Sequence, residues 1–174
     1  MGWGHGWAPI GVKVRSRYTA RLHDPKQIVV WNAENENGQR RFRALYQGSN
    51  VGEVFNSAWA GKTMDEVVPA SLRTFTIDAA NDCASSQCAI YTVLTTVDAN
   101  GRDVNCERLL LPLGRKRVVE QIVASLQLIS LTGEFERKSV LTNFEKQSHI
   151  AFAGRIRSGA MMPAETETVI LETN

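Results

Sequence analysis

Three consecutive stretches decide the fold: Gln87-Cys88-Ala89-Ile90-Tyr91-Thr92-Val93-Leu94-Thr95-Thr96-Val97, then Asp98-Ala99-Asn100-Gly101, then Val104-Asn105-Cys106-Glu107-Arg108-Leu109-Leu110-Leu111-Pro112-Leu113. The first and third are rich in β-branched and other apolar residues, while the second carries turn chemistry. Together they predict two long antiparallel strands joined by a tight turn. Gly114-Arg115-Lys116-Arg117 punctuates the chain again, and Val118 to Ile129 places Ile122, Ala124, Leu126 and Leu128 on one period-two face. A helical stripe through Val119, Ile122 and Leu126 fits this last segment almost as well, so periodicity alone leaves it open between strand and helix.

Working toward the N-terminus, Gln27 to Trp31 is β-prone and Asn35-Glu36-Asn37-Gly38 is a turn. Arg41 to Gln47 then alternates, with Phe42, Ala44 and Tyr46 expected on one face and Arg41 and Arg43 on the other, so the pair reads as a hairpin. Between this hairpin and the later strands, Ser49 to Asn56 reads as a short helix, and Lys62 to Pro69 as one helical turn stopped by proline. Ser71 is the expected N-cap of a longer helix reaching about Asp82, with Leu72, Phe75 and Ala79 on one stripe. The expected architecture is α+β: a five-stranded antiparallel sheet with short helices packed on one face. Outside a core at residues 27–131, residues 1–26 read as an N-terminal extension. Residues 132–174 read as a C-terminal helix, Glu134 to Gln147 with Val140, Leu141 and Phe144 as its stripe, followed by an acidic, Thr-rich tail.

Composition narrows the classes of function without choosing one. Of 174 residues, 43% are hydrophobic and 22% charged, which is globular rather than disordered composition. A net charge of +2 is too near balance for a protein that coats nucleic acid. That small total hides a division: residues 1–50 carry a surplus of five positive charges, and residues 51–100 a surplus of four negative ones. Cys83, Cys88 and Cys106 are too few for a paired disulfide framework or a four-thiolate zinc site. No apolar run approaches the length of a membrane span, and no apolar signal core follows the glycine-rich, aromatic start at Met1 to Trp7. A cytoplasmic protein with reduced thiols is the expectation.

Several segments, taken in order, carry a resemblance. Arg40-Arg41-Phe42-Arg43-Ala44-Leu45-Tyr46-Gln47-Gly48 precedes Val51-Gly52-Glu53-Val54-Phe55 and Ala60-Gly61-Lys62-Thr63-Met64-Asp65-Glu66. Asp98-Ala99-Asn100-Gly101-Arg102-Asp103-Val104 and Glu107-Arg108-Leu109-Leu110-Leu111-Pro112-Leu113 follow. The set resembles the short single-domain PAS family common in alphaproteobacteria, over about residues 27–130, with the ERLLLPL segment its most specific part. The chain departs from that pattern at Gln47-Gly48-Ser49, where the family has Gly-Thr, and at Phe55-Asn56, where it has Phe-Gly. The resemblance implies a sensory or protein-interaction module of bacterial signal transduction, some members of which hold a ligand between sheet and helices.

The cofactors known for PAS domains find little here. A photoactive flavin would need a cysteine in an Asn-Cys-Arg-Phe-Leu-Gln-like helix, and Asn81-Asp82-Cys83-Ala84-Ser85-Ser86 lacks both the arginine and the aromatic-glutamine continuation. Haem would need an axial ligand near the helix before the third strand, yet His5, His23 and His149 all lie outside the core. The cofactor is therefore left unknown. No catalytic motif is present either, so an enzyme is not expected; Glu107 is the one candidate for an ionisable group inside a pocket.

Two modes of action remain. In the first, the domain is an adaptor that self-associates as a homodimer and docks onto a protein partner, through Trp3 and Trp7 or the 134–147 helix. In the second it is a small-molecule receptor, with Tyr46, Trp59, Tyr91 and Arg108 as candidate ligand-binding residues, in a cavity where Phe55 and Phe75 also fall. One member of the Glu107-Arg108 pair should point toward the helices, where an arginine can hold a carboxylate or phosphate. The competing expectation is that this member instead forms an ion pair with a neighbouring strand on the open face of the sheet.

Overall fold

A computed structural model of the chain describes residues 25–98, 100–115, 117–130, 132–135, 140 and 148–156. The N-terminal extension with Trp3 and Trp7, and most of the helix expected over 134–147 (Leu141 and Phe144 included), lie outside the described residues. After a single 3-10 turn at Pro25–Gln27 the chain forms β1 (Ile28–Glu36) and β2 (Gln39–Gln47). Three helices come next: α1 (Ser49–Phe55), α2 (Met64–Val67) and α3 (Ala70–Ser86). The strands β3 (Ala89–Val97), β4 (Asp103–Arg115), β5 (Val118–Ser130) and β6 (His149–Ile156) complete one sheet in the order β2-β1-β5-β4-β3-β6.

All neighbouring strands run antiparallel. Val118–Ser130 is a strand, and pairing decides it: β5 lies between β4 and β1, where a helix could not complete either ladder. Its even-numbered residues then share a face with Val29, Trp31 and Leu110, and the helices cover that face.

The five-strand count is corrected to six. The sixth strand, β6, comes from the segment expected to hold a C-terminal helix and tail, and it pairs with β3. Gly154 reads as a breaker in sequence, but a Cβ at that position would meet the Phe152 ring at 2.8 Å, so the ring occupies the space the glycine leaves. Without β6, β3 would expose a full row of unpaired backbone groups. A two-pronged ion pair fastens the new edge to the helical layer: Arg155 Nε and Nη2 donate to the Asp82 carboxylate at 2.8 and 2.7 Å.

The long helix also differs from expectation. Pro69, not Ser71, occupies the N-cap position of α3, and the helix continues past Asp82 until Gln87 adopts the left-handed conformation. Proline suits a helix start because it has no N–H to satisfy there. The preceding single turn is held by a capping box: Thr63 N–H donates to Glu66 Oε2 at 2.6 Å, and the Thr63 hydroxyl donates to the same oxygen at 3.0 Å. The bond to the Thr63 backbone holds the Glu66 carboxyl below its ordinary value. Its contribution is therefore present above the ordinary carboxylate range and is lost as pH falls through the lowered one.

The β3–β4 turn is built around Asp98, which is buried although charged. Its Oδ1 accepts from the N–H groups of Asn100 and Arg102 at 2.8 and 2.9 Å, and its Oδ2 from Arg102 Nε at 3.0 Å. Asp98→Ala orphans two backbone donors and should cost about 2–3 kcal/mol in urea unfolding, with Asp98→Asn recovering part of it. A loss below about 0.5 kcal/mol would show that the turn does not depend on this carboxylate.

Candidate functional site

The site grows out of the alternation of β4. Val104, Cys106, Arg108 and Leu110 are buried under the helices, while Asn105, Glu107 and Leu109 turn to the opposite face. One cation thus stands in phase with an apolar stripe. Arg108 is 8% exposed, its Nε donates to Thr92 Oγ1 at 3.2 Å, and its guanidinium carbon lies 5.7 Å from the centre of the Phe75 ring. Among the described residues Nη2 is buried without a hydrogen-bond partner. No ion pair forms to Arg108 among them either. Burial disfavours its charged form strongly enough to push the guanidinium down to about 10, well below its ordinary value.

Trp59 comes from the helical side. It lies in the loop between α1 and α2, and that loop is stapled to β2 by one side chain. Gln47 Oε1 accepts from the Trp59 backbone N–H at 2.8 Å, and Gln47 Nε2 donates to the Ser57 carbonyl at 2.9 Å. With the backbone so fixed, the indole packs between Trp31, centroid to centroid 5.7 Å, and the edge of Phe55 at 4.5 Å. Its Nε1 is buried and, like Arg108 Nη2, has no partner among the described residues.

Both side chains line one cavity of about 60 Å³ between the sheet and the three helices. The remaining wall is almost wholly apolar, with Trp31, Met64, Leu94, Leu110 and Leu126 prominent and Thr76 the exception. A smaller cavity of about 40 Å³ adjoins it and shares Phe55, Cys106 and Leu126. Buried polar groups are normally satisfied, so two orphaned donors on residues that line one apolar cavity are unusual.

Of the four candidate ligand-binding residues, Trp59 and Arg108 line this cavity, and Tyr46 and Tyr91 do not. Tyr46 is turned away by a β-bulge: Trp31 pairs with Ala44, but Val30 pairs with Tyr46, so Leu45 and Tyr46 both interrupt the alternation. Tyr46 therefore sits opposite Val30, whose side chain belongs to the cluster on the face opposite the three helices, and is 40% exposed. Tyr91 follows the odd-numbered face of β3 and packs on Phe152 of β6 at 5.9 Å. Its hydroxyl bonds to Glu107, which pushes the phenol up to about 12. Glu107 thus stands on the side of the sheet away from the cavity, which removes the one candidate for an internal acid or base. The competing expectation, a cross-strand ion pair on the open face, is not met: Arg108 lies under the helices, and Glu107 on the other face bonds to the Tyr91 hydroxyl.

Gln47, Trp31, Met64 and Thr76 also build the site and were not marked as site residues by the sequence. Gln47 gave one signal, standing where the chain departs from the resembled pattern. Cys83 and Cys106 are buried, and desolvation raises their thiols to about 12 and about 11, so they behave as small apolar side chains. Among the described residues no three His, Cys, Asp or Glu side chains gather as a metal site would require. Among them, too, no helix is long and apolar enough to cross a membrane. Comparison with known proteins finds no family model, no curated protein and no solved structure that matches the chain.

Proposed function

We propose that the chain is a cytoplasmic PAS-like sensory domain that binds a small molecule between its sheet and its helices. The observation that carries this reading is Arg108: a buried cation without a counter-charge among the described residues, on the wall of an apolar cavity that Trp59 also lines. Such a group costs folding free energy, and a bound ligand that supplies the missing partner explains its presence. The order of the chain supports the PAS-like part: a hairpin, three helices and three antiparallel strands, with β5 returning to pair with β1. Glu107–Leu113, the most specific part of the resemblance, forms the strand that presents Arg108.

Native mass spectrometry of freshly purified protein tests the proposal. A reproducible bound mass, lost on denaturation, is the expected result. A bare dimer overturns the receptor reading in favour of an adaptor that works by docking alone, whose contacts Trp3, Trp7, Leu141 and Phe144 lie outside the described residues. A bare monomer overturns both.

A further inference from the structure

We infer that the molecule held in this cavity is a small monocarboxylic acid with a short apolar tail, its carboxylate bound by Arg108 Nη2 and Trp59 Nε1. The inference rests on the cavity being a ligand site, and it names the chemical class. Arginine and the tryptophan indole are donors that accept nothing, so the group that satisfies both must be an acceptor. An ionised carboxylate is acceptor-only, with two oxygens able to take one bond from each donor, and bonds between charged partners are about twice as strong as neutral ones.

Charge and size narrow the class further. Arg108 is the one cation among the described residues that line the cavity, and it neutralises one negative charge. A dicarboxylate or a phosphate dianion would bring a second charge against Trp31, Met64 and Leu126, where burial without a partner is costly. An alcohol or amide would leave the guanidinium charge uncompensated and bring a donor of its own to a wall that offers few acceptors. At about 60 Å³ the cavity is well below the roughly 150 Å³ that admits benzene. It suits a few non-hydrogen atoms, and longer tails must pass Phe55 into the adjoining cavity of about 40 Å³.

The full-length protein is titrated with acetate, propionate, butyrate, butyramide and succinate at constant ionic strength, and binding is followed by tryptophan fluorescence and thermal melting. Butyrate should bind at least about tenfold more tightly than butyramide or succinate, the range for a hydrogen bond to a charged group. Arg108→Met should abolish that preference. Trp59→Phe, which keeps the ring packing and removes the donor, should weaken butyrate about three- to tenfold. Equal affinity for butyramide and butyrate overturns the carboxylate assignment and leaves the cavity a ligand site. A mass bound in native spectrometry that none of the acids displaces does the same. If none of the series binds and the native mass is bare, both the class and the ligand site fall. Undiminished butyrate binding by Arg108→Met places the acid elsewhere and overturns the inference.

Discussion

Arg108→Met should raise the stability of the ligand-free protein by about 2 kcal/mol, or roughly 4–8 °C in melting temperature for a domain of this size, while eliminating whatever the cavity binds. The sign is set by linkage. Burial lowers the guanidinium to about 10, well below its ordinary value, so the unfolded chain holds its proton more tightly than the folded one. Stability therefore carries a cost of the order of 3 kcal/mol at every pH below about 10, and the cost is relieved only as pH rises toward 12. Methionine fills similar volume without charge and keeps an aromatic contact with Phe75. Against that relief stands the loss of the bond from Nε to Thr92 Oγ1, about 1 kcal/mol, which leaves a net gain near 2. Differential scanning calorimetry of the two proteins after removal of small molecules measures it. A destabilisation of more than about 1 kcal/mol would show that Arg108 is a structural group with a partner in the folded chain, rather than a cation held for a ligand.

The largest loss should come from Gly114→Ala. In β4 the register shifts between Leu113 and Gly114, and the glycine backbone packs directly against the returning strand. A Cβ there would fall 1.8 Å from the carbonyl oxygen of Val118 and 2.8 Å from its carbon, both of them backbone atoms that cannot rotate away. The hairpin must open or slip, and a slip by one residue would send the even-numbered face of β5 out of the core. The expected cost is at least about 3 kcal/mol by urea denaturation. Gly38→Ala is the matched control: Gly38 has a φ of +80° but open space around it, so only the backbone penalty of about 1–2 kcal/mol applies. Similar small losses at both positions would mean that the β4–β5 turn is looser than this packing implies.

The effects at Arg108 and Gly114 were visible in sequence to very different degrees. An arginine interrupting an apolar strand is conspicuous, and alternation alone requires that Glu107 and Arg108 point to opposite faces. Which of the two faces the helices is not written locally, because β4 is apolar on both sides: Val104, Cys106 and Leu110 on one, Leu109, Leu111 and Leu113 on the other. Gly114 reads only as punctuation until the returning strand is in place beside it. Trp59 was legible as a candidate, but its inward direction depends on Gln47, twelve residues away and on another element.

The sequence by itself determined the hairpins β1–β2 and β3–β4, the helical segments between them, the turns, and the presence of one cation within a strand stripe. Those properties are set by periodicity, propensity and turn chemistry, which act within a few residues. Whether Val118–Ser130 is strand or helix was decided by its pairing with β4 and β1. Tertiary structure alone decided that the sheet has six strands, since β6 is stabilised by pairing with β3 and by Phe152 covering Gly154. It alone moved Tyr46 off the site, because a bulge arises from pairing with a partner strand. It also brought Arg108 and Trp59 to one cavity, because burial on a particular face depends on which distant helices come to cover it.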